Sequence, residues 1–276
     1  MLAALAGAMT KLLLIDSSKI QEVQMGQEIT IGRAYSNLLR LEGEEVSRVH
    51  SILYRRGSEY VLRDLDSKNG DANGVFRSGA LNEKQPNNGA DAFVYDPMDL
   101  RRGENVEGTN PKEKTAAIDQ TFALSIGKDG LVYHTEPLPN ETPLVGCPAL
   151  SLWLSIDTPD VDLECDLYEI QPDGTSIALW SDLRRLRYRE SLREAKLVKP
   201  GEVVRCDFNP GLFVARRLMK GSRLRLVVTA VNSILWQKNY CSGGIVAEET
   251  AKDAHTCNVQ VYHDADHPSA IQLPLR

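Results

Sequence analysis

Leu150, Leu152, Leu154 and Ile156 alternate with Ser151, Trp153 and Ser155. A repeat of two places the four aliphatic side chains on one face, so this stretch predicts a strand with one buried side. Pro148 bounds it on one side and Asp157-Thr158-Pro159-Asp160 on the other, both turn signals. A second strand, Cys165 to Ile170, ends at Pro172-Asp173-Gly174, a type I or II turn signature. The same grammar recurs downstream. Val204, Cys206 and Phe208 share one face after Pro200-Gly201, and Leu224, Leu226, Val228 and Ala230 share one after Lys220-Gly221. Leu131 to Tyr133, Val259 to Val261 and Ile271 to Leu275 complete the set. Short strands spaced by turns predict a sandwich. The first third reads the same way, with strands at Lys11 to Asp16, Glu28 to Ile31, His50 to Arg56 and Tyr60 to Asp64.

The expected fold is therefore all-β, with two β-sandwiches. Residues 10–81 form the first module. Asn82-Glu83-Lys84-Gln85-Pro86-Asn87-Asn88-Gly89 has linker composition, so 82–92 is read as a linker and 93–276 as the second sandwich. The run Leu183 to Arg193 carries five arginines. It reads as a helical turn or loop whose cations pair with the surplus of acidic residues.

Charge narrows the partners. The chain has 276 residues and a net charge of −6, which argues against a general nucleic-acid binder. The first 80 residues carry ten basic and ten acidic side chains, so an anion site there must be a local arrangement. No apolar run reaches the ~18 residues of a membrane span, and Leu2 to Met9 lacks the basic lead of a signal peptide. Five cysteines, at 147, 165, 206, 241 and 257, form no C-x-x-C. They read as free buried thiols in a reducing compartment, so a cytoplasmic location is expected.

Three polar loops interrupt the first sandwich: Ile31-Gly32-Arg33, Val46-Ser47-Arg48-Val49-His50 and Asp64-Leu65-Asp66-Ser67-Lys68-Asn69-Gly70. If the strands meet as a sandwich, these loops gather at one end. Arg33, Ser47, Arg48 and Lys68 together make an anion site: two guanidiniums fork onto phosphate oxygens, and a hydroxyl and an ammonium donate to the rest. In order and spacing, I-G-R, S-R-x-H and D-x-D-S-K-N-G resemble a forkhead-associated (FHA) domain lacking its last strands. That resemblance implies a phosphothreonine-containing protein as partner. Arg33, Ser47 and Arg48 would hold the phosphate and Lys68 or Asn69 the peptide backbone, while Gly32, His50 and Gly70 brace the loops.

The longer part of the chain carries Phe93-Val94-Tyr95-Asp96-Pro97, Leu131-Val132-Tyr133-His134-Thr135-Glu136-Pro137-Leu138, Arg187-Tyr188-Arg189-Glu190-Ser191 and Tyr262-His263-Asp264-Ala265-Asp266-His267-Pro268-Ser269. In that order they resemble the C-terminal domain of the Xaa-Pro dipeptidyl-peptidase and cocaine-esterase family of serine hydrolases. The resemblance implies a jelly-roll, galactose-binding-like sandwich that packs against an α/β-hydrolase domain and supplies no catalytic triad. The alternative to a two-module binding protein is an accessory subunit that completes a hydrolase encoded on another chain.

No catalytic residue is expected. No G-x-S-x-G occurs, and Ala123-Leu124-Ser125-Ile126-Gly127 is followed by a strand pattern rather than the helix of a nucleophile elbow. Neither a cofactor nor a metal is expected. His263-Asp264-Ala265-Asp266-His267 offers ligand chemistry for a transition ion, and Asp157, Asp160, Asp162 and Asp166 offer oxygens for calcium. Both sets read better as turn-bracing side chains. Trp153, Trp180 and Trp236 read as packing rather than as a sugar platform.

Overall fold

A computed structural model of the protein describes residues 11–16, 19–24, 28–32, 37–40, 51–56, 59–64, 79–84, 89–99, 129–172, 175–231 and 236–276. The chain divides into two compact units, Met1–Phe76 and Arg77–Arg276. Apart from two single 3₁₀ turns, every regular element among the described residues is a strand.

In the first unit, β1 (Lys11–Asp16) and β2 (Lys19–Gln24) form an antiparallel hairpin. A four-stranded sheet follows, ordered β4-β3-β5-β6 and made of β3 (Glu28–Gly32), β4 (Leu39–Arg40), β5 (Ser51–Arg56) and β6 (Glu59–Asp64). Ile29, Ile31, Leu39 and Leu53 are buried, so alternate positions of β3 face a core as the period-two pattern requires. Thr30 Oγ1 accepts the Leu38 N–H at 3.2 Å and ties the β3–β4 connection to its sheet.

The second unit stacks two sheets over one core. One sheet runs β14-β11-β17-β8. It consists of β8 (Ala90–Tyr95), β11 (Ala149–Ile156), β14 (Val204–Phe208) and β17 (Cys257–Tyr262), with β18 (Ala270–Gln272) also paired to β11. The other runs β13-β12-β16-β9-β7. Its strands are β7 (Gly79–Ala80), β9 (Gly130–His134), β12 (Asp162–Ile170), β13 (Ser176–Arg185) and β16 (Arg223–Ala230). A separate pair joins β10 (Thr142–Gly146) to β15 (Val214–Leu218). Leu150, Leu152, Leu154 and Ile156 of β11 meet Leu163, Cys165 and Leu167 of β12 and Leu224, Leu226 and Val228 of β16 in the same core. Each such burial contributes about 1.5–3 kcal/mol.

Three readings of the sequence change here. The stretch 82–92 ends inside a strand, because β8 begins at Ala90 and pairs with β17 from Ala90↔Tyr262 to Tyr95↔Cys257. Gly79–Ala80, read with the first module, pairs in parallel with Tyr133–His134 of β9. The expected turn or loop at Leu183 to Arg193 is also only partly that. Leu183 to Arg185 close β13, and the 3₁₀ turn Leu186–Tyr188 follows.

Candidate functional site

The register of the first sheet decides where its loops emerge. Ile31 pairs with Ser51, and Ser51 pairs with Asp64. Ile31, Ser51 and Asp64 therefore form one row across β3, β5 and β6. The chain leaves β3 at Gly32, enters β5 at Ser51 and leaves β6 at Asp64, so all three junctions lie at the same end of the sheet. Gly32 is the last residue of β3 and is buried. Arg33, Ser47, Arg48, His50, Lys68, Asn69 and Gly70 lie outside the described residues, as does Ser125. In sequence, the three segments carrying the anion-binding candidates are those that adjoin this row.

In the second unit the carboxylates flagged for metal are occupied by protein donors. Asp160 Oδ1 accepts from the Arg187 backbone N–H at 2.8 Å, and Oδ2 accepts from Arg187 Nε at 2.6 Å and Asn239 Nδ2 at 2.8 Å. Asp162 takes Arg185 Nε at 2.9 Å, Arg185 Nη2 at 2.8 Å and the same Asn239 amide at 2.8 Å. Asn239 Oδ1 in turn accepts the Cys241 N–H at 2.9 Å, and Tyr95 Oη donates to the Asn239 carbonyl at 3.2 Å. Two arginines of the basic run are thus consumed inside the fold, as brackets on buried acids. Burial pushes the Asp160 carboxyl above the usual carboxylate range, and the Arg187 and Asn239 bonds oppose that rise without cancelling it.

The remaining candidates resolve as braces. Asp157 accepts both the Asn258 N–H at 2.8 Å and Asn258 Nδ2 at 2.6 Å. Asp264 Oδ1 accepts the N–H groups of Asp266 and His267, at 2.9 and 2.8 Å, which is an Asx-type turn. His267 packs edge-on to Trp153 with ring centroids 5.4 Å apart. No group of three or more metal-ligating side chains occurs among the described residues. Trp180 is core and Trp236 is 59% exposed, so the tryptophans form no common platform. All five cysteines are free thiols, and Cys147 is exposed rather than buried as expected. No helix among the described residues is long and apolar enough to cross a membrane.

Sequence reasoning missed Glu169 as a clip between elements. It is buried on β12, and its carboxylate accepts from Arg216 of β15, from the Met219 N–H at 2.8 Å and from Ser222 Oγ at 2.9 Å. An inward glutamate within the apolar pattern of β12 is the signal that marks it.

Known proteins share this architecture. The model of the X-Pro dipeptidyl-peptidase C-terminal non-catalytic domain matches residues 67–272, and the model of the FHA domain matches residues 29–76. Cocaine esterase from Rhodococcus sp. (strain MB1 Bresler) is 28% identical over 196 residues, which make up 67% of this chain and 32% of the esterase. The chain thus spans about a third of that relative's length. Among solved structures, an aminopeptidase from the marine sediment archaeon Thaumarchaeota archaeon superposes with a TM-score of 0.61 at 22% identity, covering 73% of this chain and 36% of that one. An α-amino acid ester hydrolase superposes with a TM-score of 0.57 at 19% identity, covering 71% and 34%; these two likenesses speak for the shared fold. The chain belongs to the family of the X-Pro dipeptidyl-peptidase C-terminal non-catalytic domain, carried here behind an FHA-domain match.

Proposed function

We propose that the protein is a two-module binding protein whose first unit recognises a phosphothreonine-containing protein and whose second is the accessory sandwich of the hydrolase family. The observation that carries this reading is the row Ile31–Ser51–Asp64. It brings the stems of the three motif-bearing segments to one end of one sheet, which is what a composite phosphate site needs. Arg33 and Arg48 supply bidentate donors and Ser47 a hydroxyl. Lys68 or Asn69 engages the peptide backbone, and Gly32, His50 and Gly70 shape the loops. Five free thiols fit a reducing, cytoplasmic setting.

Fluorescence anisotropy with a phosphothreonine peptide library tests this. A selected peptide binds saturably, and its unphosphorylated form does not. Arg33→Ala weakens binding by about tenfold to a hundredfold, the worth of charge-assisted hydrogen bonds. No binding at millimolar peptide, or binding unchanged in Arg33→Ala, refutes it.

A second reading is an accessory subunit for an α/β-hydrolase domain in trans. It is favoured by Leu212 and Phe213, an adjacent pair of large apolar side chains 46% and 64% exposed just before β15. The pure chain is then inert toward a chromogenic ester and an Xaa-Pro-nitroanilide, and mutating the pair to serine abolishes capture of the hydrolase. Turnover by the chain alone, blocked by a serine-directed inhibitor, would contradict both readings.

A further inference from the structure

Alternation along β8 turns Phe93 and Tyr95 into the core, and Asp91 belongs to the same face. Along β17, Cys257, Val259 and Val261 are the buried positions, and His263 follows in the same phase just past the strand end. The pairing Val261↔Asp91 sets these two polar residues at one end of the sheet. From the facing sheet, Tyr133 of β9, paired to Leu226 of β16, donates its Oη–H to Asp91 Oδ2 at 2.9 Å. His263 Nε2 stands 3.2 Å from the same oxygen. Residues distant in sequence thus converge on one carboxylate oxygen.

Behind this group lies a cavity of about 320 Å³ between the sheets, within the range of small-molecule pockets. Its floor is apolar: Leu150, Leu152, Leu226, Val261 and Ile271. Its polar side is the Asp91–Tyr133–His263 group, with Asn82, Lys84 and Ser269 also on the wall. Burial first, and then the Asp91 charge, push the Tyr133 phenol up, so it stays a donor to Asp91 across the ordinary pH range. The His263 ring is held from behind. The His263 backbone N–H donates to the Gly89 carbonyl at 3.2 Å, and a Cβ at Gly89 would stand 2.4 Å from His263 Cε1. Gly89 has φ +137, so glycine is required both for the backbone and for the ring's seat. Two neighbours therefore fix Asp91 Oδ2, while no donor among the described residues bonds Oδ1, and the carboxylate keeps 29% exposure.

We infer that this cavity is a binding site for a small organic ammonium: an apolar aryl or alkyl body on the Leu150–Leu152–Leu226 floor, with its N–H groups on Asp91 Oδ1. The apolar wall offers too few donors and acceptors for a sugar. A ligand carboxylate would face the fixed Asp91 charge, and Lys84 is an exposed cation on a flexible stem. An ammonium meets the carboxylate in a charge-assisted bond and buries its hydrocarbon.

The test uses the full chain and three probes of matched shape, phenylbutylamine, phenylbutanol and phenylbutyrate, titrated by protein-observed NMR. The amine saturates a single site in the millimolar range with shifts at Leu226, Val261 and Tyr133. The alcohol binds about tenfold more weakly, the difference a charged hydrogen bond makes, and the acid more weakly still. Asp91→Asn lowers the amine to the level of the alcohol, and Lys84→Ala leaves the amine unchanged or tighter. Equal binding of all three probes, preference for the acid, or no saturation by the amine overturns the inference. The ranking of the probes on the unaltered chain decides it even where Asp91→Asn does not fold.

Discussion

Asp160 and Asp91 are two inward carboxylates of the same sandwich, and their surroundings differ in one respect. Asp160 has no exposed surface, and each of its oxygens is taken by Arg187, with Asn239 adding a third bond. Asp91 has one oxygen fixed by Tyr133, with His263 beside it, and the other bonded by no donor among the described residues. The first arrangement is closed: charge is matched by charge, and nothing else can enter. The second holds the acid in place and stops short of satisfying it. A buried acid that the fold fully satisfies belongs to stability. One that the fold orients and leaves half-satisfied beside an apolar cavity has capacity for a ligand.

The sharpest way to break this contrast is to remove Arg187. Arg187→Met strands the Asp160 charge and costs about 3–5 kcal/mol, the penalty of leaving one partner of a buried pair. That lowers the melting temperature of the second unit on the order of 10 °C. Adding Asp160→Asn removes the stranded charge and restores part of the loss. A melting temperature unchanged in Arg187→Met would show that Arg187 does not close the Asp160 cluster.

Asp91→Asn is the matching change and has a much smaller effect. The amide oxygen still accepts the Tyr133 hydroxyl, and the position is partly exposed, so a loss below about 1 kcal/mol is expected for one net hydrogen bond adjusted. Differential scanning calorimetry of the two variants side by side reads the ratio. Equal losses from Arg187→Met and Asp91→Asn would make Asp91 a second structural bracket and remove the basis for treating its cavity separately.

How far these clusters could be foreseen differs for the same physical reason. β11 was legible because its period of two is unbroken, and Leu150, Leu152, Leu154 and Ile156 are all buried. β13 was not, because its pairing with β12 shifts between Leu167 and Tyr168. The shift leaves Leu179 and Trp180 buried in succession, so the bulge erases the alternation by which a strand is recognised. β8 was shortened to its apolar end because an acid on the core face does not look like a core position. That misreading fell on Asp91, a residue the cavity is built around. The Tyr133–Asp91–His263 group could not be read from spacing at all, since register across two sheets brings positions 91, 133 and 263 together. For the first unit, the motifs I-G-R, S-R-x-H and D-x-D-S-K-N-G were local and therefore visible. The structure adds that their stems share one row.

A carboxylate outside both clusters marks the bottom of the scale. Asp253 is only partly covered and closes a capping box. Its Oδ2 accepts the Thr250 N–H at 2.8 Å and Thr250 Oγ1 at 3.0 Å, and Thr250 Oγ1 accepts the Lys252 N–H at 3.3 Å. The Thr250 backbone and hydroxyl bonds hold its carboxyl below the usual value. A folded-state value below the unfolded one means that the unfolded chain binds the proton first as pH falls. The cap therefore stabilises the fold above the ordinary aspartate range and loses that contribution as pH drops through the folded-state value. Asp253→Asn should melt slightly below the parent protein at neutral pH, and the two curves should converge under acid. A gap that stayed constant down to the lowest pH at which the protein remains folded would mean that the side chain's shape, rather than its charge, supplies the cap. It would also narrow the contrast between Asp160 and Asp91, since charge would then separate only those two inward acids.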